Sequence, residues 1–173
     1  MKLYRSKIPE IARAVIQNLC HDGALEVAPE NRPEAELDLT AVMEEYLRRD
    51  AELRERVREH MELQNIAYDR YGKVRAQMAE EWGHPTGEDV ERFLARQFVE
   101  NFMISRFVEE VFAEDKDIYK AMLEILRKHD VDERAIRDEA LEKIKNIAEG
   151  TVEYEIALSR AIKDVKKRHG LIS

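Results

Sequence analysis

The strongest constraint on this chain is the placement of its five phenylalanines, Phe93, Phe98, Phe102, Phe107 and Phe112, all inside one segment. Between them stand Leu94, Val99, Met103, Ile104, Val108 and Val111. At about 100° per residue those rings would point around most of a helix, and a helix apolar nearly all round must be enclosed by others or by a partner. The expectation is an all-α bundle of about six helices, with this segment, 88–113, as its central helix. Composition agrees: 38% of residues are charged, with six glycines and four prolines in 173 residues, which favours helix over sheet.

The apolar spacing elsewhere sketches the remaining helices. Ser6 and Pro9 open a first one through Ile11, Val15 and Leu19, and His21-Asp22-Gly23 stops it. Residues 24–35 read as a loop in which Leu25-Glu26-Val27 forms a short extended piece. A short helix through Leu39, Met43 and Tyr46 then leads to Asp50, the expected cap of a long helix over 51–82. In that stretch Val57, Met61, Gln64, Tyr68, Tyr71, Arg75, Met78 and Trp82 keep the alternating steps of four and three of a coiled-coil seam, with Gly72 as its weak point.

Gly83-His84-Pro85-Thr86-Gly87 is the clearest break, and Thr86 with Asp89 resembles a capping box for the phenylalanine helix. Shorter helices follow through Ile118–Leu126, through Ile136–Ile147 after a cap at Asp130 or Asp132, and from Tyr154 toward Gly170. The two parts of the chain align with each other. Met43 to Arg49 lies against Met122 to Lys128, Asp50 against Asp130, and Gly83 against Gly170. The expected organisation is therefore two related three-helix halves, 1–83 and 84–173, forming either two domains or one compact unit. The second half would supply the central helix and the first would wrap it.

Several segments together resemble a known family. Met1-Lys2-Leu3-Tyr4-Arg5 with Ile8, the Asp22-Gly23 stop, Val111-Phe112-Ala113-Glu114-Asp115, and Ala148-Glu149-Gly150-Thr151-Val152-Glu153-Tyr154 are similar to the bacterial family called domain of unknown function 507. The resemblance implies a cytoplasmic, bacterial, helical protein and brings no catalytic residue with it.

Charge and motif content narrow the function classes. The net charge of −8 divides evenly, since residues 1–83 carry 13 basic and 17 acidic groups and residues 84–173 carry 16 and 20, so no basic half points to nucleic acid. No apolar run is long enough for a membrane span, and Met1 to Lys7 is not followed by the apolar stretch of a secretory signal. One cysteine allows no internal disulfide, and the richness in Glu, Arg and Lys suits a heat-tolerant source. No phosphate-binding glycine loop or HExxH pattern occurs, and the lone Glu-x-x-His, Glu81 to His84, runs into a glycine. Cys20-His21-Asp22 has the residue types of a nucleophile system, but neighbours in sequence point apart, and a helix C-terminus disfavours a thiolate.

Neither a catalytic residue, a metal ligand nor a cofactor is therefore expected. What remains is local basic groups: Arg48 and Arg49 with Arg54, Arg56 and Arg58 around Asp50, the counterparts Arg127, Lys128 and Arg134, and Lys163, Lys166, Lys167 and Arg168. The leading expectation is a non-enzymatic helical interaction or scaffold protein with a protein partner, another copy of itself included. The alternative is an RNA- or ribosome-associated factor that uses the basic turns.

Overall fold

A computed structural model describes all 173 residues. Its seven α-helices, against about six expected, are α1 (Ile8–His21), α2 (Arg32–Leu63), α3 (Tyr71–Trp82), α4 (Asp89–Ile104), α5 (Asp115–Lys128), α6 (Glu133–Lys143) and α7 (Val152–Arg168). Two short strands, β1 (Leu25–Glu26) and β2 (Glu110–Val111), pair antiparallel, with Leu25 opposite Val111. The all-α bundle is as the sequence indicates.

The main core is a four-helix arrangement in which α1 and α4 each pack on both α2 and α5. The α1 face of Ile8, Ile11, Val15, Ile16 and Leu19 shares one apolar cluster with Leu39 and Met43 from α2, Ile118, Met122 and Leu126 from α5, and Leu94, Phe98 and Phe102 from α4. This core draws on residues either side of position 83, and α1 and α4 contribute to it alike. Each is followed by a short strand and then by its packing partner, and the two strands pair across the molecule. The first helix is thus as central as the fourth, and the expected hub-and-wrapper asymmetry is absent.

Two expected helices have other bounds. The phenylalanine helix is α4 and ends at Ile104, where Ser105 turns extended and its hydroxyl donates to Asp38 at 2.8 Å. Phe107 and Phe112 therefore lie beyond it, in the segment that pairs with Leu25-Glu26. The Phe112 amide donates to the Ala24 carbonyl, and its ring is 62% exposed. Only Phe98 and Phe102 are buried, and Phe93 and Phe107 are half-buried. Thr86 does not cap this helix through its side chain, nor does Ser6 cap α1; the Ser6 hydroxyl donates to the Leu171 carbonyl at 3.3 Å.

The helix expected over 51–82 is displaced. One continuous helix runs from Arg32 to Leu63, straight through Asp50, and the chain then reverses into α3. The reversal is a Schellman end: Asn65 is left-handed at φ 50°, the Ile66 amide donates to the Met61 carbonyl at 2.9 Å, and Ile66 packs with Met61. Val57 and Met61 do lie in an apolar seam, but it closes against Ala79 of α3 within one hairpin instead of along one rod.

A third cluster joins α6 and α7 through Ile136, Ala140, Ile144, Leu158, Ala161 and Val165, and takes in Tyr4 and Leu171 from the chain's end segments. Asp132 caps α6 by accepting from the Arg134 and Ala135 amides, and Thr151 caps α7.

Candidate functional site

Three features stand out on this frame. The first is a cleft of about 860 Å³ between the N-terminal segment, the middle of α2 and one stripe of α7. Ser159, Ile162, Lys163 and Lys166 recur at helical spacing, so they share a face of α7 distinct from the Leu158, Ala161 and Val165 face that packs on α6. Leu47, Ala51 and Arg54 line the α2 side by the same periodicity. Lys2, Tyr4 and Arg5 close it from the N-terminal segment, and Gly170, Leu171, Ile172 and Ser173 from the residues after α7.

Five cationic side chains thus converge on a space whose lining contains no Asp or Glu. Carboxylates approach three of them from outside the lining: Glu44 pairs with Arg5, Asp50 lies 3.9 Å from Arg54, and Glu133 lies 3.5 Å from Lys166. Lys2 and Lys163 make no ion pair. The Lys2 and Lys166 ammonium groups sit 5.2 and 5.4 Å from the centre of the Tyr4 ring, whose hydroxyl donates to Glu133. Burial, and then the charge of Lys166, push the Lys2 ammonium below its ordinary value. At Lys166 burial also opposes the charge, but Tyr4 and Glu133 outweigh it. Burial next to Glu133 pushes the Tyr4 phenol up to about 12.

The second feature is a buried polar cluster where α2, α3 and the α3–α4 turn meet. Gly83 is left-handed at φ 65°, and the His84 amide donates back to the Ala79 carbonyl at 2.9 Å, which turns His84 inward. Its ring stacks on Tyr46 at 4.9 Å between centroids and lies 5.9 Å from Trp82. Asp50 Oδ1 lies 3.1 Å from His84 Nε2 and accepts from Arg75 at 2.8 Å. Tyr46 donates to the Pro85 carbonyl at 3.1 Å, while Arg49 and Arg56 lie over the Trp82 ring. His84 Nδ1 is buried without a hydrogen-bond partner in the protein.

The third is the α2–α3 hairpin itself. Beyond Asp50 it holds its own small core of Leu53, Val57, Met61 and Ala79, so it forms an arm with packing of its own. At its turn Leu63 is 81% and Tyr68 80% exposed, and Tyr68 lines a hollow of about 520 Å³ with Met61, Ile66 and Tyr71.

The whole arrangement can be set against known proteins. A family model described as protein of unknown function (DUF507) matches residues 1–171. The chain belongs to the DUF507 family. No curated protein matches it. No helix of this DUF507 chain is long and apolar enough to cross a membrane.

The residues singled out from the sequence scatter across the DUF507 fold. Lys163 and Lys166 enter the cleft; Lys167 does not line it, and Arg168 pairs with Glu139 across α6 and α7. Arg48 is held between Glu45 and Glu52, which raise its already high pKa, and Arg49 lies on Trp82. Arg127 donates to the buried carboxylate of Glu91 at 2.9 Å, and Lys128 lines a separate hollow with Asp130, Asp132 and Glu139. With Arg48 and Arg127 already occupied by carboxylates, the paired turns offer little free positive charge.

Phe98 and Phe102 serve the core. No side-chain hydrogen bond joins Cys20, His21 and Asp22, and burial pushes the Cys20 thiol up, away from the thiolate a nucleophile needs. Sequence reasoning grouped Arg54 with the basic turn around Asp50 and missed Lys2 and Arg5 in the cleft; it took Asp50 for a helix cap and missed Arg75 and His84 as its partners. The stripe on α7 was readable from periodicity. The others come together only through tertiary packing.

Proposed function

We propose that this DUF507 chain is a non-enzymatic helical interaction protein, acting in the cytoplasm, that engages a protein partner through the α2–α3 arm. The observation that carries this reading is the pair of large apolar side chains left in solvent at the arm's turn, Leu63 and Tyr68, the latter on a hollow also lined by Met61, Ile66 and Tyr71. An exposed aliphatic and an aromatic anchor beside an apolar recess have the composition of an interface centre. The arm's own core keeps this surface presented without help from the bundle. A free Cys20 and the lack of any disulfide fit a reducing compartment.

The partner includes another copy of the chain, and the test separates the cases. A photo-crosslinking residue is placed at Leu63, at Tyr68 or at the exposed control position Glu30, and the protein is irradiated in the host cell. The expected result is one discrete adduct common to the two arm positions and absent from Glu30. An adduct of twice the chain mass, with concentration-dependent sedimentation of the purified protein, identifies self-association. Equal labelling at Glu30, or none at Leu63 and Tyr68, overturns the reading.

A further inference from the structure

The arm's turn shares no lining residue with the cleft beside the middle of α2, and the structure assigns that cleft a role of its own: a binding site for a small phosphate-bearing molecule. Lys2, Arg5, Arg54, Lys163 and Lys166 come from three separate parts of the chain to one space of about 860 Å³ with no Asp or Glu in its lining. The chain as a whole carries a net charge of −8, so a field of opposite sign confined to one cleft is not a by-product of composition. Holding like charges together costs stability unless a counter-charge sits among them. Glu44, Asp50 and Glu133 face three of the cations from outside the lining, and Lys2 and Lys163 make no ion pair, so the space in front of Tyr4 keeps an excess of positive charge that suits an anion.

The class of ligand follows from shape and wall chemistry. A volume of this size falls within the roughly 300–1,000 Å³ of small-molecule sites. Leu47 and Ile162 give the cleft an apolar wall beside the lysines, where the uncharged part of a phosphorylated compound would rest. A polyanion such as RNA would need the positive field to continue along the surface, whereas the arginines of the neighbouring α2 face, Arg48 and Arg58, are paired with Glu45 and Glu55. Lysine ammonium groups act as compact point charges toward phosphate without demanding the planar, two-point geometry that arginine supplies to carboxylates.

Binding is measured by calorimetry on the full chain at low salt, with pyrophosphate, ATP, citrate and a 20-nucleotide single-stranded RNA as probes. Pyrophosphate and ATP are expected to bind and to compete with each other. Lys2→Ser and Lys163→Ser, which break no ion pair in the protein and leave its helical signal unchanged, should each weaken them by about tenfold, the effect of losing one charge-assisted contact. Arg58→Ala, outside the cleft, should change neither. Failure of both phosphates to bind, tighter binding of citrate than of pyrophosphate, or unaltered affinity in the Lys2→Ser/Lys163→Ser double variant overturns the assignment. RNA binding that the small phosphates do not displace overturns it in favour of a polymer. Crosslinking at Leu63 and Tyr68 is indifferent to all these outcomes, so the cleft and the arm stand or fall separately.

Discussion

Removing the Asp50 carboxylate should loosen the base of the arm before it loosens the bundle. Its Oδ1 accepts from Arg75 at 2.8 Å and lies 3.1 Å from His84 Nε2, which ties α2 to α3 and to the turn into α4. Asp50 is 18% and Arg75 29% exposed, so the pair is neither fully buried nor free in solvent. Breaking a fully buried pair costs about 3–5 kcal/mol, and partial exposure of the guanidinium lets water recover part of that. His84 adds the cost of a buried donor with no partner, about 1–3 kcal/mol. Alanine returns roughly 0.5 kcal/mol through its higher helix propensity.

With about half of the pair cost recovered by water, the net expectation for Asp50→Ala is a loss of about 2–5 kcal/mol, and Asp50→Asn, which keeps one acceptor, should lose about half of that. Urea unfolding followed by far-ultraviolet circular dichroism reads the whole molecule. Emission from the single tryptophan, Trp82, which lies between Arg49, Arg56 and His84, reads the arm's base alone. In Asp50→Ala the Trp82 transition should move to lower urea than the helical one. A shift below about 0.5 kcal/mol with unchanged Trp82 emission would refute the account, because that is the range of an ordinary surface substitution.

The same cluster sets a pH dependence. Burial lowers the His84 pKa despite the neighbouring Asp50, with Arg49 and Arg75 opposing a further positive charge. The folded protein therefore holds the imidazole neutral while the unfolded chain protonates it near about pH 6.5. The contribution is complete above that value and is lost as the pH falls toward the lower folded pKa. His84→Gln should flatten the stability profile below about pH 6.5, and an identical slope in wild type and variant would count against the buried neutral ring. In the bundle, Phe98→Ala should cost about 3–5 kcal/mol by urea titration, whereas Phe112→Ala, at an exposed ring, should stay within about 0.5 kcal/mol; equal effects would contradict the core assignment. At the arm's turn, Asn65→Val should cost about 1–2 kcal/mol because a β-branched residue resists the left-handed conformation, and Asn65→Gly should be neutral or slightly stabilising.

The fold was legible wherever periodicity and chain breaks decide. The first helix and the extended piece at Leu25-Glu26 follow from local pattern, and the cap at Asp132 is one of the two positions that pattern offered. The arm was hidden for a geometric reason. Val57 and Met61 on one helix and Met78 and Trp82 on the other face the same small core, so their spacing reads as one seam whether the chain runs straight or doubles back. The phenylalanine segment misled in a related way: its apolar content continues past Ile104 because β2 and its flanks also pack on the bundle, and composition does not record a change of backbone geometry. In the cleft only the α7 lysines share an element, so only they could be grouped from sequence, and Asp50 looked like a cap because nothing local marks a mid-helix aspartate as the partner of Arg75 and His84.

The uninterrupted run of α2 has a mechanical meaning. Its 32 residues span about 48 Å, with Leu39 and Met43 clamped in the bundle and Val57 and Met61 in the arm. A joint at Asp50 would let the arm swing freely, but a continuous helix bends there only by giving up backbone hydrogen bonds. The molecule is thus built around a stiff beam with no hinge at midspan. A load applied at Leu63 is borne by the packing around Met43, and the lever passes along one wall of the basic cleft on its way.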